Sequence, residues 1–214
     1  MNLLLTSDGL SDNEIKECFL EEIKKLDNKK IAVLYTVKNP GDEQWLAYRE
    51  QELDLLNLTY HFINISENRD LSEVLLNYGI IYICGGNTFY ILDRIRKTGV
   101  DKFLLESINR NLLYVGLSAG SIIMCPDIEV AGIGPDGDDN DICLSDLKGF
   151  NIVPFSIYPH YKDEDKLFVE KFFNDNNKPV IAINDNQAIF VKKNNFTLMG
   201  DIGELQLGCE LRRL

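Results

Sequence analysis

Residues capable of covalent chemistry converge on one serine. Gly116-Leu117-Ser118-Ala119-Gly120 follows directly on the apolar run 112–115 and precedes a second apolar run, 122–124. Glycines on both sides of a serine let the chain turn sharply from strand into helix without a Cβ clash, lifting the hydroxyl out of the sheet edge. The free N–H groups and positive dipole end of the following helix then favour an alkoxide or a tetrahedral oxyanion. The arrangement predicts a nucleophile at Ser118; the alternative is a plain glycine-rich turn.

A serine hydroxyl needs a base to take its proton. The chain has two histidines, His61 and His160. His61 lies in the apolar run 59–63 and reads as a strand or edge residue. His160, within Ile157-Tyr158-Pro159-His160-Tyr161, reads as the base, on a rigid loop. The base needs a carboxylate to fix its tautomer. Asp185, just past the apolar run 180–183, is expected on the same carboxyl edge as Ser118 and leads. Asp127, Glu129 and the loop acids Asp136, Asp138 and Asp139 are the alternatives.

A second turn, Cys84-Gly85-Gly86-Asn87-Thr88-Phe89, closes the apolar run 80–84. Its N–H groups are expected at the same edge, with Gly86 and Ala119 as oxyanion donors and Asn87 beside them at the substrate. Such donors are worth roughly 3–4 kcal/mol of barrier each in other hydrolases. The structural alternative is a helix start capped by Asn87 or Thr88. No Gly-x-Gly-x-x-Gly and no Lys-Ser/Thr follows these glycines, which excludes a nucleotide loop. Cys125 reads as core packing and Cys84 as a buried strand end.

The elements that must position these residues are legible as two hydrophobic rhythms. Short apolar runs at 3–6, 31–35, 59–63, 80–84 and 112–116 fit strands covered on both faces. Between them lie amphipathic stretches: one beginning after a cap at Asp12, then 42–56, 72–78 and 87–97. Strands alternating with helices imply βαβ crossovers and a doubly wound, mostly parallel α/β sheet. Beyond residue 124 the sequence predicts a Gly/Asp-rich surface loop at 132–141 and a helix at 165–173. A last parallel strand at 179–183 should lead into an antiparallel meander at the C-terminal edge, built from 188–191, 196–199 and 204–207. Residues 1–214 are expected to form one domain.

The composition narrows the class. With 34 acidic against 22 basic residues the net charge is −12, a field that repels a phosphate backbone and argues against nucleic-acid binding. Five widely spaced cysteines without a CxxC pair fit free thiols in a reducing compartment, neither a disulfide framework nor a zinc site. The acidic loop lacks calcium-loop spacing, and no metal or other cofactor is expected. Neither a signal peptide nor a membrane span is legible, so a cytoplasmic protein is expected.

Gly85-Gly86-Asn87-Thr88-Phe89, Tyr114-Val115-Gly116-Leu117-Ser118-Ala119-Gly120-Ser121, Cys125-Pro126 and Pro159-His160-Tyr161 together resemble the aspartyl dipeptidase (peptidase E) and cyanophycinase family of serine peptidases. The resemblance implies a flavodoxin-like fold similar to class I glutamine amidotransferases, with serine in place of their cysteine. It implies Ser118 as nucleophile, His160 as base and Gly86 with Ala119 as oxyanion hole. The family's third member is generally a glutamate; the matching segment here, residues 182–187, offers Asp185 instead. Other readings of the family point to the loop after the nucleophile and to Asp127 or Asp136. Members that select an N-terminal aspartate carry an arginine after the histidine. Residues 161–184 hold only Lys162, Lys166, Lys171 and Lys178, and lysine does not reproduce the bidentate fork. Strict aspartyl specificity is therefore not expected. The expected protein cleaves small peptides as a monomer or homodimer. The rivals are an esterase or amidase on a non-peptide substrate and a catalytically silent binding protein of the same fold.

Overall fold

A computed structural model describes residues 1–38 and 42–213. In chain order the strands are β1 (Asn2–Thr6), β2 (Ile31–Tyr35), β3 (Tyr60–Asn64), β4 (Ile80–Ile83), β5 (Leu113–Leu117), β6 (Ser156–Tyr158), β7 (Val180–Ala182), β8 (Gln187–Lys192), β9 (Asn195–Gly200), β10 (Leu205–Leu207) and β11 (Arg212–Arg213). The helices are α1 (Asn13–Lys24), α2 (Leu46–Asp54), α3 (Ser72–Leu75), α4 (Thr88–Lys97), α5 (Val100–Glu106), α6 (Ala119–Ile122) and α7 (Lys166–Asn176).

An eight-stranded sheet in the order β11-β9-β8-β1-β5-β4-β2-β3 forms the centre. Strands β1, β5, β4, β2 and β3 run parallel, while β8 joins β1 antiparallel and β9 pairs antiparallel with β8. Period-two alternation explains why these strands read as continuous apolar runs. Leu3, Leu5, Ala32, Leu34, Ile81, Ile83 and Tyr114 face one core with α4, α5 and α7. Leu4, Ile31, Val33, Ile80, Tyr82, Leu113 and Val115 face the other, against α1 and Leu53 of α2. The sheet is doubly wound, as the rhythm predicts, with the antiparallel edge at the C-terminal side.

Two helix starts explain themselves locally. Asp12 Oδ1 accepts the N–H groups of Glu14 and Ile15, and Asn87 Oδ1 accepts that of Tyr90, each satisfying a donor the helix leaves open.

The C-terminal half departs from the sequence expectation. Residues 180–182 do not join the main sheet; β7 sits between β6, parallel, and β10, antiparallel, in a separate three-stranded sheet. β6 itself falls in the segment read as a loop. A three-residue strand leaves too little pattern to recognise, and the choice of sheet is a tertiary decision. Ile157 and residues 180–182 pack into the same core as α7. Among the described residues, no helix is long and apolar enough to cross a membrane.

Candidate active site

β5 delivers Ser118 to the carboxyl edge of the large sheet, where open α/β sheets bind ligands. Its backbone lies at φ 50°, ψ −109°, a conformation that costs a non-glycine residue about 1–3 kcal/mol. Neighbouring bonds enforce it. The Ser118 N–H donates to the Thr6 carbonyl at 3.0 Å, and the Ser118 carbonyl accepts from Ser121 at 2.7 Å and Ile122 at 3.1 Å. The flanking glycines have steric causes: a Cβ on Gly116 would lie 2.5 Å from the Gly120 carbonyl oxygen, and one on Gly120 2.4 Å from that of Ile83.

His160 follows β6 at φ 57°, with the next residue pinned by a bond from Tyr161 N–H to the Ile183 carbonyl at 3.0 Å. Asp185 occupies the turn between β7 and β8. That turn is closed by Gln187 N–H donating to the Asn184 carbonyl at 3.0 Å, while Asn184 N–H donates to Gln187 Oε1 at 2.8 Å. A loop after β6 of the small sheet and the turn that joins the two sheets thus face the turn that carries Ser118.

His160 Nδ1 lies 2.6 Å from Asp185 Oδ1, and Nε2 lies 2.9 Å from Ser118 Oγ. A carboxylate only accepts, so the ring proton sits on Nδ1 and Nε2 accepts from the serine hydroxyl. The bond to Asp185 lifts the imidazole above its ordinary value, against the desolvation that lowers it. The same bond is the first cause that holds Asp185 below the usual carboxylate range. The arrangement can deprotonate a hydroxyl and stabilise the imidazolium that results.

Three of the other candidate acids are engaged elsewhere. Lys178 Nζ donates to Asp127 at 2.8 Å and to Glu129 at 2.7 Å, and Asp138 accepts the Thr88 N–H at 2.8 Å. Among the described residues Asp185 is the one acid that bonds the His160 ring. The expectation that its strand shares a sheet with β5 is corrected: Asp185 arrives from the small sheet, at the same edge. His61 lies exposed on the edge strand β3, its ring against Tyr78.

Gly86 sits at φ 129° beside Ser118, a conformation that favours glycine. Ala119 opens α6 and has no acceptor within its own helix. Both N–H groups therefore belong to the turn edges that flank the serine. The Asn87 side chain is occupied on both sides: Oδ1 caps α4, and Nδ2 donates to the Asp139 carbonyl at 2.8 Å. That bond and the Asp138 cap fasten the acidic loop to the start of α4.

Two clefts meet at Ser118 and His160. One, of about 440 Å³, is walled by Asp8, Trp45, Tyr48 and Arg49. The other, of about 320 Å³, is walled by Ile122, Val130, Asp136, Tyr158 and Lys162 among others. Two residues here escape sequence reasoning. Arg49 of α2 reaches the larger cleft, with Nη2 3.4 Å from Asp8 and Nη1 3.3 Å from Glu52. Ser7 lies beneath the His160–Asp185 pair. Neither carries a local motif, because each acts where distant segments meet. Among the described residues, no group of three or more His, Cys, Asp or Glu is placed to hold a metal ion.

The sequence model of peptidase family S51 matches residues 3–199. An uncharacterized peptidase of Listeria monocytogenes is 28% identical over 197 residues, covering 89% of this chain and 94% of its own. Peptidase E of Shewanella denitrificans is 25% identical over 215 residues, covering 93% and 87%. A crystal structure described as a peptidase E protein from Listeria monocytogenes EGD-e superposes with a TM-score of 0.78 at 26% identity, covering 94% of this chain and 98% of that one.

Proposed function

The chain belongs to peptidase family S51 and is a serine peptidase, and from that premise we propose that Ser118, His160 and Asp185 cleave small peptides through an acyl-enzyme. Ser118 Oγ attacks the scissile carbonyl carbon as its proton passes to His160 Nε2. The oxyanion is received by the N–H groups of Gly86 and Ala119. His160 then returns the proton to the leaving amine nitrogen and the C–N bond breaks. Water, deprotonated by the same nitrogen, hydrolyses the acyl-serine and restores the hydroxyl. Asp185 holds the imidazole tautomer and its charge throughout.

The observation that carries this reading is the continuous chain from Ser118 Oγ through the His160 ring to Asp185, at 2.9 and 2.6 Å. The modest clefts on either side favour short peptides. Their charged lining is Asp8, Asp136, Asp138 and Asp165 against Arg49 and Lys162. Arg49 lies between Asp8 and Glu52, so an acidic substrate side chain meets a net negative wall. Neutral or basic side chains are the favoured substrates.

A panel of di- and tripeptides differing in side-chain charge tests the proposal. Wild-type protein should release free amines, fastest from neutral or basic peptides, and Ser118→Ala should release none while melting at an unchanged temperature. Cleavage surviving in Ser118→Ala would remove the serine from the reaction.

A further inference from the structure

We infer that Ser7 is a positioning residue, clipping His160 and Asp185 to the large sheet through one buried hydroxyl. The inference rests on the roles proposed for those two residues and deepens them. Ser118 rides on the large sheet, His160 on a loop of the small one, and Asp185 on the connection that leads from β7 of the small sheet into β8 of the large one. Any slip between the sheets would open the 2.9 Å gap between Ser118 Oγ and His160 Nε2. Ser7 follows the last residue of β1, is wholly buried, and is locked to the sheet by its N–H donating to the Gln187 carbonyl at 3.2 Å.

The Ser7 hydroxyl donates to Asp185 Oδ1 at 2.9 Å and accepts the His160 backbone N–H at 2.8 Å. One proton and two lone pairs satisfy both bonds together, and both directions are forced: a carboxylate only accepts and an N–H only donates. The consequences differ for the two partners. Oδ1 is also the oxygen that receives His160 Nδ1, so Ser7 fixes the plane of the carboxylate that fixes the ring. The N–H bond also holds His160 in its left-handed conformation at φ 57°, which a non-glycine residue leaves when its partners are removed. Ser11 Oγ bonds only the main-chain carbonyl of Asp185, at 3.0 Å, and cannot set the carboxylate plane.

The test uses the whole chain with Ser7→Ala and, as a variant that keeps a weak donor and acceptor, Ser7→Cys. Labelling by a fluorophosphonate is followed as a maximal rate and a half-saturating concentration, and the His160 Nδ1–H is followed by NMR with exposed His61 as internal reference. Misplacement of a catalytic group by an ångström costs on the order of 100-fold. Ser7→Ala should therefore lose about 10- to 100-fold in maximal rate with the half-saturating concentration unchanged, its Nδ1–H signal should shift or broaden, and Ser7→Cys should recover part of both. Wild-type rate with an unmoved imidazole signal would overturn the inference. So would a slowed rate with an unmoved signal, since Ser7 would then act elsewhere. Absence of labelling at Ser118 in the wild type would sink the nucleophile instead, and the imidazole signal alone would still decide the role of Ser7.

Discussion

His160 is about half exposed in its side chain, yet its titration is governed by the carboxylate behind it, so activity and stability depend on pH in opposite senses. The bond its Nδ1–H donates to Asp185 raises the imidazole pKa above its ordinary 6.5. A base must be neutral to act, so kcat/KM should climb as pH rises through that raised value. The protonated form is the one the fold favours, so its stabilisation is full below the unfolded value and is lost as pH rises through the folded one. Exposure screens this term, and the change in Tm across the window should be small. Asp185→Asn removes the cause. The acid limb of the pH profile should move to lower pH, and the rate should fall by about 10⁴-fold, as when the acid of such a triad is amidated in other enzymes. A profile whose acid limb stays in place would show that Asp185 does not set the base. These three residues were readable from sequence for different reasons. Ser118 stands between glycines at a strand end, His160 competes with one other histidine, and Asp185 closes an apolar run. Ser7 and Arg49 were not readable, because their neighbours in space lie far away along the chain.

The element that demands most of its residue types is the turn from β5 into α6. Gly116 and Gly120 leave no room for a methyl group: both nearest atoms are backbone carbonyl oxygens, which have no rotamer to yield. Gly120→Ala should therefore push α6 from β4, cost about 1–3 kcal/mol or more in stability, and slow fluorophosphonate labelling by carrying Ser118 and the Ala119 N–H with it. Urea denaturation and labelling kinetics on the same sample check this, and an unchanged midpoint with an unchanged rate would contradict it. Elements of the large sheet were legible because burial on both faces writes uninterrupted apolar runs, while alternation between its two cores is hidden within them. The small sheet was legible only in part: β7 and β10 fall within the runs 179–183 and 204–207, but β6, with three residues, is too short for a pattern, and the pairing of β6 and β10 with β7 in a second sheet is decided by tertiary packing.

At the scale of the whole molecule, the site depends on loops of the small sheet reaching the carboxyl edge of the large one in a strongly acidic protein. A net charge of −12 attracts cationic substrates and repels anionic ones over roughly a Debye length, about 10 Å at 0.1 M salt. Raising salt should thus lower kcat/KM for basic peptides, raise it for acidic ones and leave neutral ones nearly unchanged. Equal salt responses for all three would mean that the surface field does not reach the site. The proposed chemistry hangs on the serine at the end of β5, and its sharpest test is intact-protein mass spectrometry after fluorophosphonate treatment, followed by peptide mapping. A single adduct is expected, on Ser118, abolished by Ser118→Ala and strongly slowed by His160→Ala. An adduct on any other residue, or labelling indifferent to loss of His160, would contradict it.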